Sequence, residues 1–124
     1  MQSRPPTGPG ARAEFQPRLR LINDRDIAFG PGKADLLQRI AATGSIRSAA
    51  VAMKMSYNRA WGLVREMNRN FREPLVAAAR GGETGGGATL TATGKEVLAR
   101  YLRMEVACRA ATRSDWKALR RLLT

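Results

Sequence analysis

Between Gly44 and Trp61 the chain reads GSIRSAAVAMKMSYNRAW, and this run constrains the fold more than any other. Two helical stretches, Ser45 to about Met53 and Ser56 to about Phe71, each open on a serine able to cap a helix start, and only Lys54 and Met55 separate them. So short a joint makes the two helices cross closely at a steep angle, which requires small side chains at the crossing. Ala49 and Ala50 on the earlier helix and Ala60 on the later one meet that requirement, and Ile46, Met53, Met55, Val64 and Met67 fill the space around them.

The later helix divides cleanly by angle. At about 100° per residue, Ala60, Leu63, Val64, Met67 and Phe71 share one wedge, which is its core face. Asn58, Gly62, Arg65 and Arg69 point the opposite way, with Tyr57 and Trp61 on one flank. Trp61 is expected to pack against the first turn and the following hairpin.

The remaining elements fall around this pair. Residues 1–14 combine Pro, Gly, Arg and Ser with little that is apolar and are expected to form a disordered basic arm. Residues 15–22, FQPRLRLI, alternate like a short edge strand, and NDRD turns the chain. Ala34, Leu36, Leu37, Ile40 and Ala41 predict a first helix ending at Thr43-Gly44. Two strand-like runs, about 75–79 and 88–91, flank a five-glycine loop and predict a hairpin. Thr93-Gly-Lys-Glu96 matches a capping box for a long helix through Cys108, and an amphipathic piece runs from Ser114 to Leu123. The expected division is therefore the arm at 1–14, a domain at 15–108 and a helical extension at 109–124.

Composition narrows the function classes. A net charge of +12 favours an anionic partner. The apolar runs are too short for a membrane span, and no signal-peptide core is visible, so a cytoplasmic protein is expected, with no membrane partner. The absence of His removes the commonest metal ligand and the commonest general base, the single cysteine, Cys108, reads as a small hydrophobe, and no paired carboxylates stand near a nucleophile, so no metal and no enzyme are expected. The glycine loop lacks the Lys-Ser or Lys-Thr and the following helix that a phosphate cradle needs.

Strand, helix, helix, tight turn, helix, hairpin and long helix, in that order, make a mainly α chain with a small β-hairpin: a winged helix-turn-helix. The polar start of the helix at 56–71 is then the part that meets duplex DNA. Ser56, Tyr57, Asn58, Arg59 and Arg65 are the candidate contacts: Asn58 for adenine or phosphate, the arginines for phosphate or guanine, Tyr57 for sugar or a thymine methyl. Arg47 and Ser48 are placed to touch the DNA backbone, and Arg80 to enter the minor groove or clamp phosphates. Singly, Arg65 and Arg69 also read as a solvated face paired with Glu66 or Glu73.

Over residues 15–108 the chain resembles the DNA-binding domain of the ModE family of molybdate-responsive regulators and the related LysR-type winged helix. The resemblance is carried by GSIRSAA, MSYNRAWGLVREMN, EPLV, the GG–GGG wing and LTATGK. It implies a homodimer on a palindromic operator, with one recognition helix per half-site, the wing at 80–88 including Gly85 and Gly86, and a role in molybdenum-related transcription. The long helix and the Trp116–Leu123 piece would join the dimer, through Leu98, Tyr101, Leu102, Trp116 and Leu119. Residues 109–124 are too few for the family's oxyanion-binding domains, so no cofactor, molybdate included, is expected on this chain. The competing reading is a winged-helix adaptor for an acidic protein, or a non-specific nucleoid-type DNA binder.

Overall fold

The computed structural model describes residues 8, 10–79 and 87–124. Two strands, β1 (Leu21–Asn23) and β2 (Asp26–Phe29), precede three helices, α1 (Pro31–Thr43), α2 (Ile46–Ala52) and α3 (Tyr57–Asn70). Strands β3 (Val76–Ala79) and β4 (Gly87–Leu90) follow, and α4 (Ala92–Arg120) is one long helix. Fold class agrees with expectation: mainly helical, with a wing hairpin and a long C-terminal helix. The chain divides into two compact units, Arg18–Leu102 and a second formed by residues 1–17 with 103–124.

Within the larger unit the helix boundaries follow their caps. α1 ends at Gly44, whose φ of 70° is left-handed and whose N–H bonds to Ile40 O. Ser45 Oγ accepts from Ser48 N to open α2, and Ser56 Oγ accepts from Arg59 N to open α3. Between them, Met55 N reaches back to Ala50 O at 3.0 Å while Lys54 takes φ 56°. A lysine in that region costs about 1 kcal/mol or more, which the tight joint imposes. Ala49, Ala50 and Ala60 are all buried at the crossing, as the spacing required.

The core gathers Phe29, Leu36, Leu37, Ile40, Val64, Met67, Leu75 and Tyr101, all essentially without exposure. Phe29 sits at its aromatic centre, edge-on to Tyr101 at 5.0 Å and to Phe71 at 6.4 Å. The wing pairs antiparallel from Val76↔Leu90 to Ala79↔Gly87, and Ala88 N bonds to Gly44 O, fastening β4 to the α1–α2 corner.

Four expectations need correction. A second hairpin, β1–β2, stands where one edge strand was read, because the turn at Asp24-Arg25 returns the chain at once and Asp24 accepts φ 57°. The long helix is capped by Thr91, whose Oγ1 accepts from Gly94 N, and not by Thr93, which is already inside the helix. The Ser114–Leu123 piece is continuous with that helix as far as Arg120. Tyr101, expected on a dimer surface, is buried in this chain's own core and donates its hydroxyl to Leu19 O at 2.9 Å.

In the smaller unit Phe15 stacks on Trp116 with ring centroids 5.9 Å apart. Described residues from the expected arm also make contacts there: Ala13 N bonds to Gly10 O, and Arg120 Nε donates to the same carbonyl at 3.0 Å.

Two glycines in helices behave oppositely. At Gly94 a Cβ would overlap the Leu75 carbonyl oxygen and stand 3.0 Å from its carbon, whereas at Gly62 it would meet nothing within 4 Å. Gly94→Ala should therefore lower stability by about 1–3 kcal/mol through overpacking against backbone, despite alanine's better helix propensity. Gly62→Ala should raise stability by about 0.5–1 kcal/mol. Chemical denaturation of the two variants beside the parent chain checks both signs.

Candidate nucleic-acid interface

Of the sequence-predicted residues, Arg47, Ser48, Ser56, Tyr57, Asn58 and Arg59 lie at the two helix starts of the α2–α3 pair, and Arg65 lies two turns further along α3. Ser56 is committed by its Oγ to the Arg59 amide, yet its hydroxyl proton can still be donated outward. Asn58, Arg59 and Arg65 are exposed, and among the described residues none of the three side chains makes a hydrogen bond or ion pair. Their presentation follows from helix periodicity: Ala60, Val64 and Met67 are drawn into the core, which turns Asn58 and Arg65 directly outward.

Tyr57, Trp61 and Arg47 form a linked group on the flank. Trp61 Nε1 donates to Tyr57 Oη, the two rings meet edge-on at 6.3 Å, and the Arg47 guanidinium lies 4.5 Å above the Tyr57 ring. The cation–π contact orients Arg47 from α2 toward the start of α3 without consuming its N–H donors. Ser48 is exposed beside it. Trp61 also lines a cavity of about 230 Å³ with Asn68, Val76 and Ala78, on the side of α3 that faces the wing strands, and it stays exposed instead of packing into the core.

Arg69 departs from the expected Glu66 or Glu73 pairing: it lies 3.4 Å from Asp26 on β2. Glu66 is held by Lys33 at 2.5 Å, and Lys33 Nζ also donates to Ile27 O. These ties, with Asn70 donating to Asp26 at 3.3 Å and Asn23 donating to Asn70 Oδ1 at 3.1 Å, fasten α3 to the β1–β2 hairpin. Arg80, Gly85 and Gly86 lie outside the described residues. Of the expected partner surface, Leu98 and Leu102 are half-buried against the core, Trp116 is half-buried in the smaller unit, and Leu119 is exposed.

Two positioning residues escaped sequence reasoning. Lys33 stands three and four residues before Leu36 and Leu37, so helical spacing alone could have put it on the buried face. Asn68 carries no such signal. Its Oδ1 accepts from Leu75 N at 2.8 Å and Val76 N at 3.2 Å, and its Nδ2 donates to Val76 O at 3.1 Å. One side chain thus satisfies three backbone groups at the root of the wing and fixes the wing to α3.

No family model matches the chain. Among curated proteins it is 36% identical over 97 residues to the molybdenum transport protein ModE of Azotobacter vinelandii, covering 78% of this chain and 36% of that one. It is 41% identical over 83 residues to the DNA-binding transcriptional dual regulator ModE of Escherichia coli K12, covering 67% and 32%. It is also 44% identical over 73 residues to the molybdenum-pterin-binding protein MopB of Rhodobacter capsulatus, covering 59% and 27%. The chain thus spans about a third of the length of these relatives. Among solved structures, the full-length LysR-type regulator LysG of Corynebacterium glutamicum superposes with a TM-score of 0.50 at 25% identity, over 71% of this chain and 28% of that one. The chain is homologous to ModE and molybdenum-pterin-binding proteins, and its fold is that of a LysR-type winged helix. Of these relatives, the Escherichia coli protein is by its name a DNA-binding transcriptional regulator.

Asn68→Ala should cost about 1–3 kcal/mol, because it leaves two amides and a carbonyl to find other partners. Asn68→Asp keeps the acceptor and should cost less. Amide exchange at Val76, read by NMR, should accelerate in the same order as the loss of stability.

Proposed function

We propose that the chain is a DNA-binding transcriptional regulator of the ModE type, acting as a homodimer on a palindromic operator. The observation that supports it most is the outward face of α3. Asn58 in its first turn and Arg65 two turns further on are exposed and, among the described residues, free of side-chain partners, while Ala60, Val64 and Met67 on the opposite face are buried. Amide and guanidinium groups so placed match the hydrogen-bonding edges of adenine and guanine in the major groove. Ser56, Tyr57, Arg47 and Ser48 contact the flanking backbone, and the wing at 80–88, with Arg80, Gly85 and Gly86, makes the second contact. The excess of cations supplies sequence-independent attraction to phosphate.

The working division keeps 15–108 as the DNA-binding domain, 1–14 as an arm and 109–124 as a helical extension. Leu119 and its exposed neighbours Leu122 and Leu123 offer apolar surface for self-association. The ModE relatives make molybdenum-related genes the first targets to examine.

Selection of bound fragments from genomic DNA tests the reading: a recurrent inverted repeat supports it, and binding with no preferred site overturns it in favour of a nucleoid-type binder or adaptor. On the selected site, Asn58→Ala and Arg65→Ala should each weaken binding by about 1–3 kcal/mol, read by equilibrium titration, with little change in melting temperature.

A further inference from the structure

The flank of α3 that faces away from the wing carries a second cluster of cations. A cavity of about 330 Å³ is lined there by Arg18 and Arg20 before β1, by the first turn of α1, and by Arg59, Leu63 and Glu66 of α3. Lys33 completes it. Four cations thus surround one space with a single acid, and that acid is already engaged by Lys33 at 2.5 Å. Arg18, Arg20 and Arg59 are exposed and, among the described residues, have neither an ion pair nor a side-chain hydrogen bond. Three uncompensated guanidinium groups around a concave space repel one another and hold a positive potential that an oxyanion relieves.

The position of the cluster selects the source of that anion. On the α3 wheel, Asn58 and Arg65 mark the outward face, Trp61 and Asn68 the wing-side flank, and Arg59 and Glu66 the other flank. A helix lying in a major groove about 12 Å wide has a phosphate backbone along each flank. The wing serves one of them. We propose that Arg18, Arg20 and Arg59 form a phosphate seat for the opposite backbone, so that α3 is held from both sides. Lys33 and Glu66 set the floor of the seat and do not touch DNA. This inference rests on the DNA-binding reading above and extends it to residues before β1.

The test compares Arg18→Ala/Arg20→Ala with the parent chain on the selected operator, over a range of salt concentrations. Loss of two phosphate contacts should lower the slope of log K against log salt by roughly 1.8 and weaken binding by about tenfold at 0.1 M salt, with base preference unchanged. Arg109→Ala/Arg113→Ala removes the same charge elsewhere and should leave most of the slope in place. Methylphosphonate substitution of the operator at single positions should reproduce the loss in the parent chain and add nothing in the Arg18→Ala/Arg20→Ala variant. An unchanged slope, or an equal drop in the control variant, overturns the seat. So does saturable binding of inorganic phosphate at constant ionic strength that disappears in the Arg18→Ala/Arg20→Ala variant, which would make the cavity a small-anion site. A parent chain that binds no duplex defeats the DNA reading itself, and is thereby distinguishable from failure of the seat alone.

Discussion

The burial of three alanines, Ala49 and Ala50 of α2 and Ala60 of α3, where two helices pack across a short joint is the constraint on which the rest of the molecule depends. A larger side chain at any of them would overpack the pair and strain the joint at Lys54 and Met55. The close crossing is also what leaves Lys54 with a left-handed backbone. In return, the start of α3 is carried outward on a rigid corner, so that Asn58 and Arg65 are presented by the scaffold and not by a loop.

A helix presented in this way must also be prevented from rolling, and the structure grips α3 along both flanks. On one side Asn68 satisfies the backbone at Leu75 and Val76 and so ties the start of β3 to the helix. On the other side Lys33 binds Glu66 and the Ile27 carbonyl at once, and Asp26 receives Arg69 and Asn70. These polar ties are directional where the apolar core is not, which is how a small domain with a modest core can still specify one rotation of the helix.

Much of this was legible in the chain. Serine caps, the Gly44 stop and the alanine spacing depend on neighbours within one or two turns, and the core wedge of α3 follows from periodicity alone. The missed features share a longer range. β2 is missed because Asp26–Phe29 carries too little pattern to be seen before its partner strand is placed. Thr91 and Thr93 offer the same local capping signal, and what separates them is that the Thr91 hydroxyl also donates to Pro74 O at 2.6 Å. Tyr101 reads as an apolar stripe residue in either setting; only the position of Phe29 and the Leu19 carbonyl turns it inward.

The sequence by itself determined where the helices begin and stop, which face of α3 is apolar, and that its polar start follows a two-residue joint, because these are matters of local spacing and capping. Tertiary structure alone decided which cations are free and which are used. Arg69 looks no different from Arg65 in the chain, since both lie on the polar side of α3, yet Arg69 is spent on Asp26 while Arg65, among the described residues, stays available. Charge is a property of residue type, but its availability depends on distance, and distances between residues tens of positions apart are set only when the core closes.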